Sequence, residues 1–121
     1  MKNYFTLEER SCPCCGVDGM NPATLARWNA LREDVGFPIN MSSGYRCPAY
    51  NTANGYTQTH ATGGAGDAMC SHKEAYVLAH KAPDHGFTGI GVSQKGAARF
   101  LHLDDLEEEL PFRPRPHLWS Y

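Results

Sequence analysis

The segment that most constrains the fold is a short apolar stretch, Phe100-Leu101-His102-Leu103-Asp104. Successive side chains of a β-strand point to opposite faces of the sheet, so Leu101 and Leu103 share one face while His102 and Asp104 share the other. The leucines need a hydrophobic layer against their face. We therefore predict a strand over 99–104 with helices packed behind it and polar side chains in front.

Two segments have the pattern of helices that could supply this layer. Asn21 before Pro22 is typical of an N-cap followed by the first helical position, and Gly36 ends the pattern. The apolar residues of this first helix recur at three- and four-residue steps: Leu25, Trp28, Leu31 and Val35. Ser71 with Glu74 indicates a capping box for a second helix, which runs to residue 83.

The remaining segments predict a small sheet. Short strands are expected around 39–41, 65–69 and 86–92, whereas the polar stretch 48–58 is expected to be a loop. The sequence thus predicts one α+β domain over residues 1–121. It contains a small antiparallel sheet with helices packed on one face and a cleft lined by polar side chains on the other.

Composition excludes several classes of protein. The chain has 121 residues, a net charge of -2 and 11 Lys and Arg against 13 Asp and Glu, so it lacks the basic excess of nucleic-acid-binding proteins. No run approaches the roughly 20 apolar residues that span a bilayer, and residues 1–10 lack the apolar core of a signal peptide. We therefore expect synthesis in the cytoplasm, no membrane anchor and a monomer.

Three residues form a candidate metal site. His60, Asp67 and His102 offer two imidazoles and a carboxylate, the usual donors of a catalytic zinc that leaves its fourth position open. His60 and Asp67 are too far apart to share one helical face, so they would meet through a turn that enters a strand. The alternative is that these are ordinary surface side chains.

Several motifs in one order resemble the zinc peptidases of bacterial cell walls, the D-alanyl-D-alanine carboxypeptidase and L-alanyl-D-glutamate endopeptidase family. That family has the pattern His-x-x-Gly-x-Ala-x-Asp, which matches 60–67 here, and a later histidine, which matches His102. Further matches lie at 42–48 (Ser-Ser-Gly-Tyr-Arg-Cys-Pro), 89–92 (Gly-Ile-Gly-Val), 115–116 (Arg-Pro) and 119–121 (Trp-Ser-Tyr). The resemblance therefore covers about residue 20 to the C-terminus.

The resemblance implies that His60, Asp67 and His102 hold Zn²⁺ and that the substrate is the stem peptide of peptidoglycan. Arg46 matches an arginine that engages substrate, and Gln58 occupies a substrate-contact position where relatives usually have serine. A compact phage-type lysis enzyme, or endolysin, that acts on the wall after release is the expected role. Two alternatives are a D,D-carboxypeptidase or dipeptidase on small peptides, and a non-catalytic zinc-binding module such as the related hedgehog domains.

The general base is the point at which the resemblance fails to transfer. Relatives place an acidic residue or histidine two or three positions before the third ligand, where this chain has Phe100 and Arg99. Asp104 is the nearest carboxylate on the same face and is either the base or a group that orients a ligand or Arg46. His85 is a weaker candidate for the base.

Five cysteines leave a separate question open. Cys12, Cys14 and Cys15 share one loop, whereas Cys47 and Cys70 lie elsewhere, and an odd count rules out complete pairing within the chain. Cys12-x-x-Cys15 could begin a structural zinc site, but no second such pair follows. Buried thiols are the simplest interpretation, with a second metal or a disulfide as alternatives. One zinc per chain is accordingly expected.

The remaining side chains have plainer interpretations. We expect His72 and His80 to be solvated on the second helix and His117 to be exposed. Trp119 and Tyr121 are expected either to seal the core or to border the cleft.

Overall fold

The computed structural model describes residues 2–121. Its α-helices and strands, in chain order, are α1 (Leu7–Arg10), α2 (Pro22–Val35), β1 (Asn40–Ser43), α3 (Pro48–Ala53), β2 (Ala65–Met69), α4 (His72–Lys81), β3 (Gly89–Ser93), β4 (Phe100–Asp104) and β5 (His117–Ser120). Two 3₁₀ turns cover Thr59–Thr62 and Ala82–His85. Over residues 2–121, no helix combines the length and the apolar character needed to cross a bilayer.

The five strands form one open sheet in the order β1-β2-β4-β3-β5. The pairs β1–β2, β2–β4 and β3–β4 are antiparallel, as the sequence predicts for these strands. The chain then returns through a proline-rich segment, and β5 adds to β3 in parallel. The prediction of an α+β domain is confirmed, and this last strand makes the sheet mixed.

Helix α2 forms where the sequence predicts it. Pro22 occupies its first turn, and Gly36 ends it in the left-handed region at a φ of 75°, donating its N–H to the carbonyl of Arg32 over 3.2 Å. A residue with a Cβ is strained in that conformation, which is why glycine suits this position. Trp28 and Leu31 are fully buried on the face of the helix that meets the sheet.

The hydrophobic core lies between the helices and one face of β4. Leu101 and Leu103 are buried there beside Leu78 of α4, and Trp28 packs edge-on against Phe87 with ring centroids 5.4 Å apart. His102 and Asp104 occupy the other face, as the alternation predicts, and are also buried. Burying the apolar face of β4 therefore fixes the side on which its polar groups lie.

Three local features differ from the sequence predictions. Residues 48–53 form α3 rather than part of a loop, because Pro48 sits at the first turn and the Cys47 sulfur accepts the N–H of Tyr50 over 3.4 Å. Ser71 makes no capping hydrogen bond, and the next residue, His72, has a φ of 51° that lies outside helical geometry. The short helix α1 was not predicted.

Candidate metal centre

Three separate elements bring His60, Asp67 and His102 together. His60 lies in the 3₁₀ turn that precedes β2, and Asp67 is the central residue of β2. In the antiparallel pairing of β2 with β4, Asp67 is directly opposite His102, so both side chains project from the same face. Gly63 ends the 3₁₀ turn at a φ of 80°, which lets the chain reverse into β2 directly after His60.

The three potential ligand atoms form a nearly equilateral triangle. The Nε2 of His60 lies 3.3 Å from the Nδ1 of His102 and 3.3 Å from the Oδ1 of Asp67. The third side, from the Nδ1 of His102 to the Oδ1 of Asp67, is 3.4 Å. Tetrahedral zinc with ligand distances of about 2.0–2.1 Å requires ligand atoms about 3.3–3.4 Å apart. These residues therefore form a possible zinc site with one open position.

Hydrogen bonds fix which nitrogen of each imidazole is free. The Nδ1 of His60 donates to the backbone carbonyl of Gly44 over 2.8 Å, and the Nε2 of His102 donates to the Oδ2 of Asp104 over 2.6 Å. Since a carbonyl and a carboxylate only accept, the protons lie on these outer nitrogens. The lone pairs of both rings consequently point toward Asp67.

Asp67 supplies an ionised oxygen at the same point. Its side chain is only 14% exposed, and its Oδ1 is buried without a hydrogen-bond donor among the described residues. A buried anionic oxygen that faces two lone pairs is poorly satisfied unless a cation lies among them.

Asp104 is enclosed by other groups. Its Oδ1 accepts from the Nε of Arg115 over 2.9 Å and from the N–H of Leu106 over 3.3 Å, and its Oδ2 accepts from Arg115 over 2.7 Å and from His102. Burial raises its pKa, but His102 and Arg115 outweigh this and lower the pKa to about 2. All four acceptor positions of the carboxylate are therefore filled. These contacts favour the orienting role for Asp104 over the role of base, and its arginine partner is Arg115 rather than Arg46.

The triangle opens into a cleft of about 1010 Å³. Arg46 lines this cleft with its guanidinium 4.6 Å from the centroid of the Tyr56 ring, and its Nε is buried without a hydrogen-bond partner. Among residues 2–121, no carboxylate lies within salt-bridge distance of Arg46, so the surface ion pair is not formed. The guanidinium thus remains available to an anionic group in the cleft.

Two other predicted positions are occupied differently. Gln58 lines the cleft, but its amide bonds to α3, accepting from Asn51 over 3.2 Å and donating to Thr52 over 3.2 Å. His85 lies 2.9 Å from Asp34 of α2 and outside the cleft, so it is not placed to act as a base there.

The C-terminal segment supplies several cleft residues, of which Glu109 and Phe112 were not singled out by the sequence analysis. Glu109 and Phe112 line the cleft, as does His117, which is exposed as expected. Trp119 borders it, with its ring 5.2 Å from that of His102, and Tyr121 lies alongside. No spacing signal identifies Glu109 and Phe112, because they reach the cleft only where the chain returns to form β5 beside β3.

Comparison with known proteins gives one match. The model of a family described as Peptidase M15 matches residues 3–104, which include all three residues of the candidate centre. No curated protein and no solved structure matches the chain.

Proposed function

The chain belongs to the peptidase M15 family and is therefore a zinc metallopeptidase, and we propose that it hydrolyses the stem peptide of bacterial peptidoglycan. The observation that carries this proposal is the triangle of His60, Asp67 and His102 at the base of an open cleft. Peptidoglycan is the substrate class that the family implies in general. Which peptide bond of the stem is cleaved, and whether cleavage serves cell lysis, are the more specific parts of the proposal.

The centre fits zinc by its donor set, its spacing and the unsatisfied Oδ1 of Asp67. Zinc bound there would supply Lewis acidity at the scissile carbonyl and would lower the pKa of a water to near neutrality. The protein's own contribution is to hold the ligands. The carbonyl of Gly44 orients His60, and Asp104, clamped by Arg115, orients His102.

Arg46 is the group best placed to bind a negatively charged group of the substrate. Its planar guanidinium lies over the face of Tyr56, which leaves the N–H edges for a peptide carboxylate or a developing oxyanion. Engaging the substrate is also the role that the resemblance implies for Arg46.

The proton acceptor is a separate problem, because Phe100 and Arg99 cannot serve and Asp104 has no free acceptor position. Apart from Tyr56, which packs against Arg46, the titratable cleft side chains outside the metal triangle and the arginines are Glu109, His117 and Tyr121. Single variants Glu109→Gln, His117→Gln and Tyr121→Phe, each with a pH–rate profile, would locate the base.

Digestion of defined peptidoglycan, with mass spectrometry of the fragments, tests the function. Stem-peptide fragments whose formation stops with chelator are expected. Loss of only a terminal D-alanine would assign a carboxypeptidase, and cleavage of free dipeptides alone would assign a dipeptidase. Bound zinc without turnover of any of these substrates would contradict the proposal and favour the non-catalytic zinc-binding module.

A lysis role of the phage type is the finest part of the proposal and rests on the resemblance alone. A lysis enzyme of this type should clear a turbid suspension of permeabilised bacteria. A suspension of intact cells, in which the protein cannot reach the wall, should stay turbid. Release of soluble fragments from isolated walls without clearing of permeabilised cells would contradict the lysis role and leave the peptidase in place.

Arg46→Lys should lower kcat/KM by roughly 10- to 100-fold although the charge is kept. The lysine loses the two-pronged hydrogen bond and the packing on Tyr56, and charge-assisted hydrogen bonds contribute about 1.5–3 kcal/mol. Steady-state kinetics on a stem peptide would measure this. Arg99→Lys, outside the cleft, is the matched control and should be unaffected. Equal kinetics for both variants would remove Arg46 from substrate binding.

A further inference from the structure

Four of the five cysteines converge at a second location. Cys12, Cys14 and Cys15 lie in the loop after α1, and Cys47 immediately precedes α3. All four sulfur atoms lie within 4.8 Å of one another. The Sγ of Cys14 is 3.5 Å from that of Cys47 and 3.9 Å from that of Cys12. Zinc–sulfur bonds of about 2.3 Å in a tetrahedron place sulfur atoms about 3.8 Å apart, which lies between these distances.

The backbone presents these sulfur atoms from a tight turn. The N–H of Gly16 donates to the carbonyl of Cys12 over 2.9 Å, and Gly16 has a φ of 73°, a conformation that favours glycine. The N–H of Cys47 also donates to the Sγ of Cys12 over 3.3 Å, and the N–H of Tyr50 to the Sγ of Cys47 over 3.4 Å. Hydrogen bonds from N–H groups stabilise a thiolate, which is the form that binds metal.

Burial does not explain this cluster. Cys14 and Cys15 are exposed, so the interpretation of these two as buried thiols is wrong, whereas Cys12 and Cys70 are buried. Cys47 lies beside the Cys12-x-x-Cys15 pair in the fold. It is not part of a second Cys-x-x-Cys pair, so the sequence pattern does not reveal it.

We propose that Cys12, Cys14, Cys15 and Cys47 bind one structural Zn²⁺, separate from the candidate metal centre. Four thiolates complete a tetrahedron and leave no position for water, as in structural rather than catalytic zinc sites. Soft sulfur ligands also favour zinc over magnesium or calcium. This site does not depend on the proposed peptidase activity.

Zinc bound by the four cysteines would connect the N-terminal segment to the loop over 44–47, which contributes to the cleft. Gly44, whose carbonyl orients His60, and Arg46 both lie within three residues of Cys47. The N–H of Tyr45 also donates to the carbonyl of Arg10 over 3.1 Å, next to the cysteine loop. Zinc bound here would therefore hold the loop in the position that the centre requires.

Metal content of the purified wild-type chain, prepared under reducing conditions, is the direct test. We expect two zinc ions per chain instead of the single ion expected from the sequence, and one ion in His102→Ala. An organomercurial that reacts with thiols should release one ion from wild type, and a chromophoric zinc indicator would measure it. Cobalt-loaded His102→Ala should show thiolate-to-cobalt charge-transfer absorption, which histidine and carboxylate ligands do not give.

Variants provide the matched comparison. Cys14→Ser and Cys47→Ser should each lose the thiol-bound ion, whereas Cys70→Ser, outside the cluster, should keep it. If the cysteine variants fail to fold, zinc release from wild type by the mercurial and the absorption spectrum of cobalt-loaded His102→Ala still test the proposal. A single ion in wild type that the mercurial does not release, iron in place of zinc, or a disulfide between Cys14 and Cys47 in the intact mass would each overturn the proposal. Metal counting needs no turnover, so its failure is distinguishable from failure of the peptidase assignment.

Discussion

His102→Ala should remove the ion from the candidate metal centre and lower peptidase turnover by roughly a thousandfold or more. The Lewis acidity of a bound metal contributes several kcal/mol to transition-state stabilisation, and about 4 kcal/mol corresponds to roughly a thousandfold in rate. The alanine removes one corner of the triangle and leaves Asp104 without its imidazole partner. Zinc analysis and steady-state kinetics on a stem peptide would measure both effects.

His80→Ala is the matched control, because His80 is an exposed histidine on α4 and does not line the cleft. It should keep full turnover and metal content. Circular dichroism of both variants would establish that the fold persists. If His102→Ala retained wild-type turnover and bound as much zinc as the control, the triangle would not be the catalytic centre.

Asp104→Asn should reduce zinc affinity at the centre by about 10- to 100-fold, the usual effect of losing a group that orients a metal ligand. The asparagine amide can donate to the Nε2 of His102, which would move the ring proton onto the Nδ1 that faces the metal. It also leaves the buried guanidinium of Arg115 without its carboxylate. Breaking such a buried pair lowers the free energy of unfolding by about 3–5 kcal/mol.

Titration with a zinc buffer and chemical denaturation would measure these two losses. The orienting role predicts that excess zinc restores part of the turnover, whereas the role of base predicts full zinc affinity with turnover lost at every zinc concentration. Asp84→Asn, on the exposed 3₁₀ turn after α4, is the control for a neutralised aspartate. Wild-type affinity and stability in Asp104→Asn would contradict the orienting role.

The sequence predicted the elements whose signals are local. The alternation of leucines with His102 and Asp104 sufficed to place β4 and to assign its two faces, because burial of the leucines leaves only one side for the polar groups. Pro22 and Gly36 likewise marked the ends of α2, since each has a conformational preference that is independent of the rest of the fold.

What the sequence could not predict depends on contacts between distant segments. Arg115 reaches Asp104 only because β5 returns in parallel beside β3, a pairing that a proline-rich tail does not suggest. Cys47 joins the other cysteines across more than thirty residues, and no spacing rule connects them. Helix α3 was missed because its asparagine and threonine have low helix propensity, and its cap is the sulfur of that same cysteine.

The glycines of β3 have a consequence for the rigidity of the centre. Gly89 pairs with Asp104 and Gly91 with His102, and a Cβ on Gly91 would come within 2.7 Å of the Trp119 ring. The carboxylate–guanidinium pair of Asp104 and Arg115 therefore lies directly against the main chain of Gly89, and the Trp119 ring lies against that of Gly91. Main chain held by hydrogen bonds to strands on both sides has no rotamers to exchange, so the surface under the ligand-bearing groups stays fixed when a peptide enters or leaves.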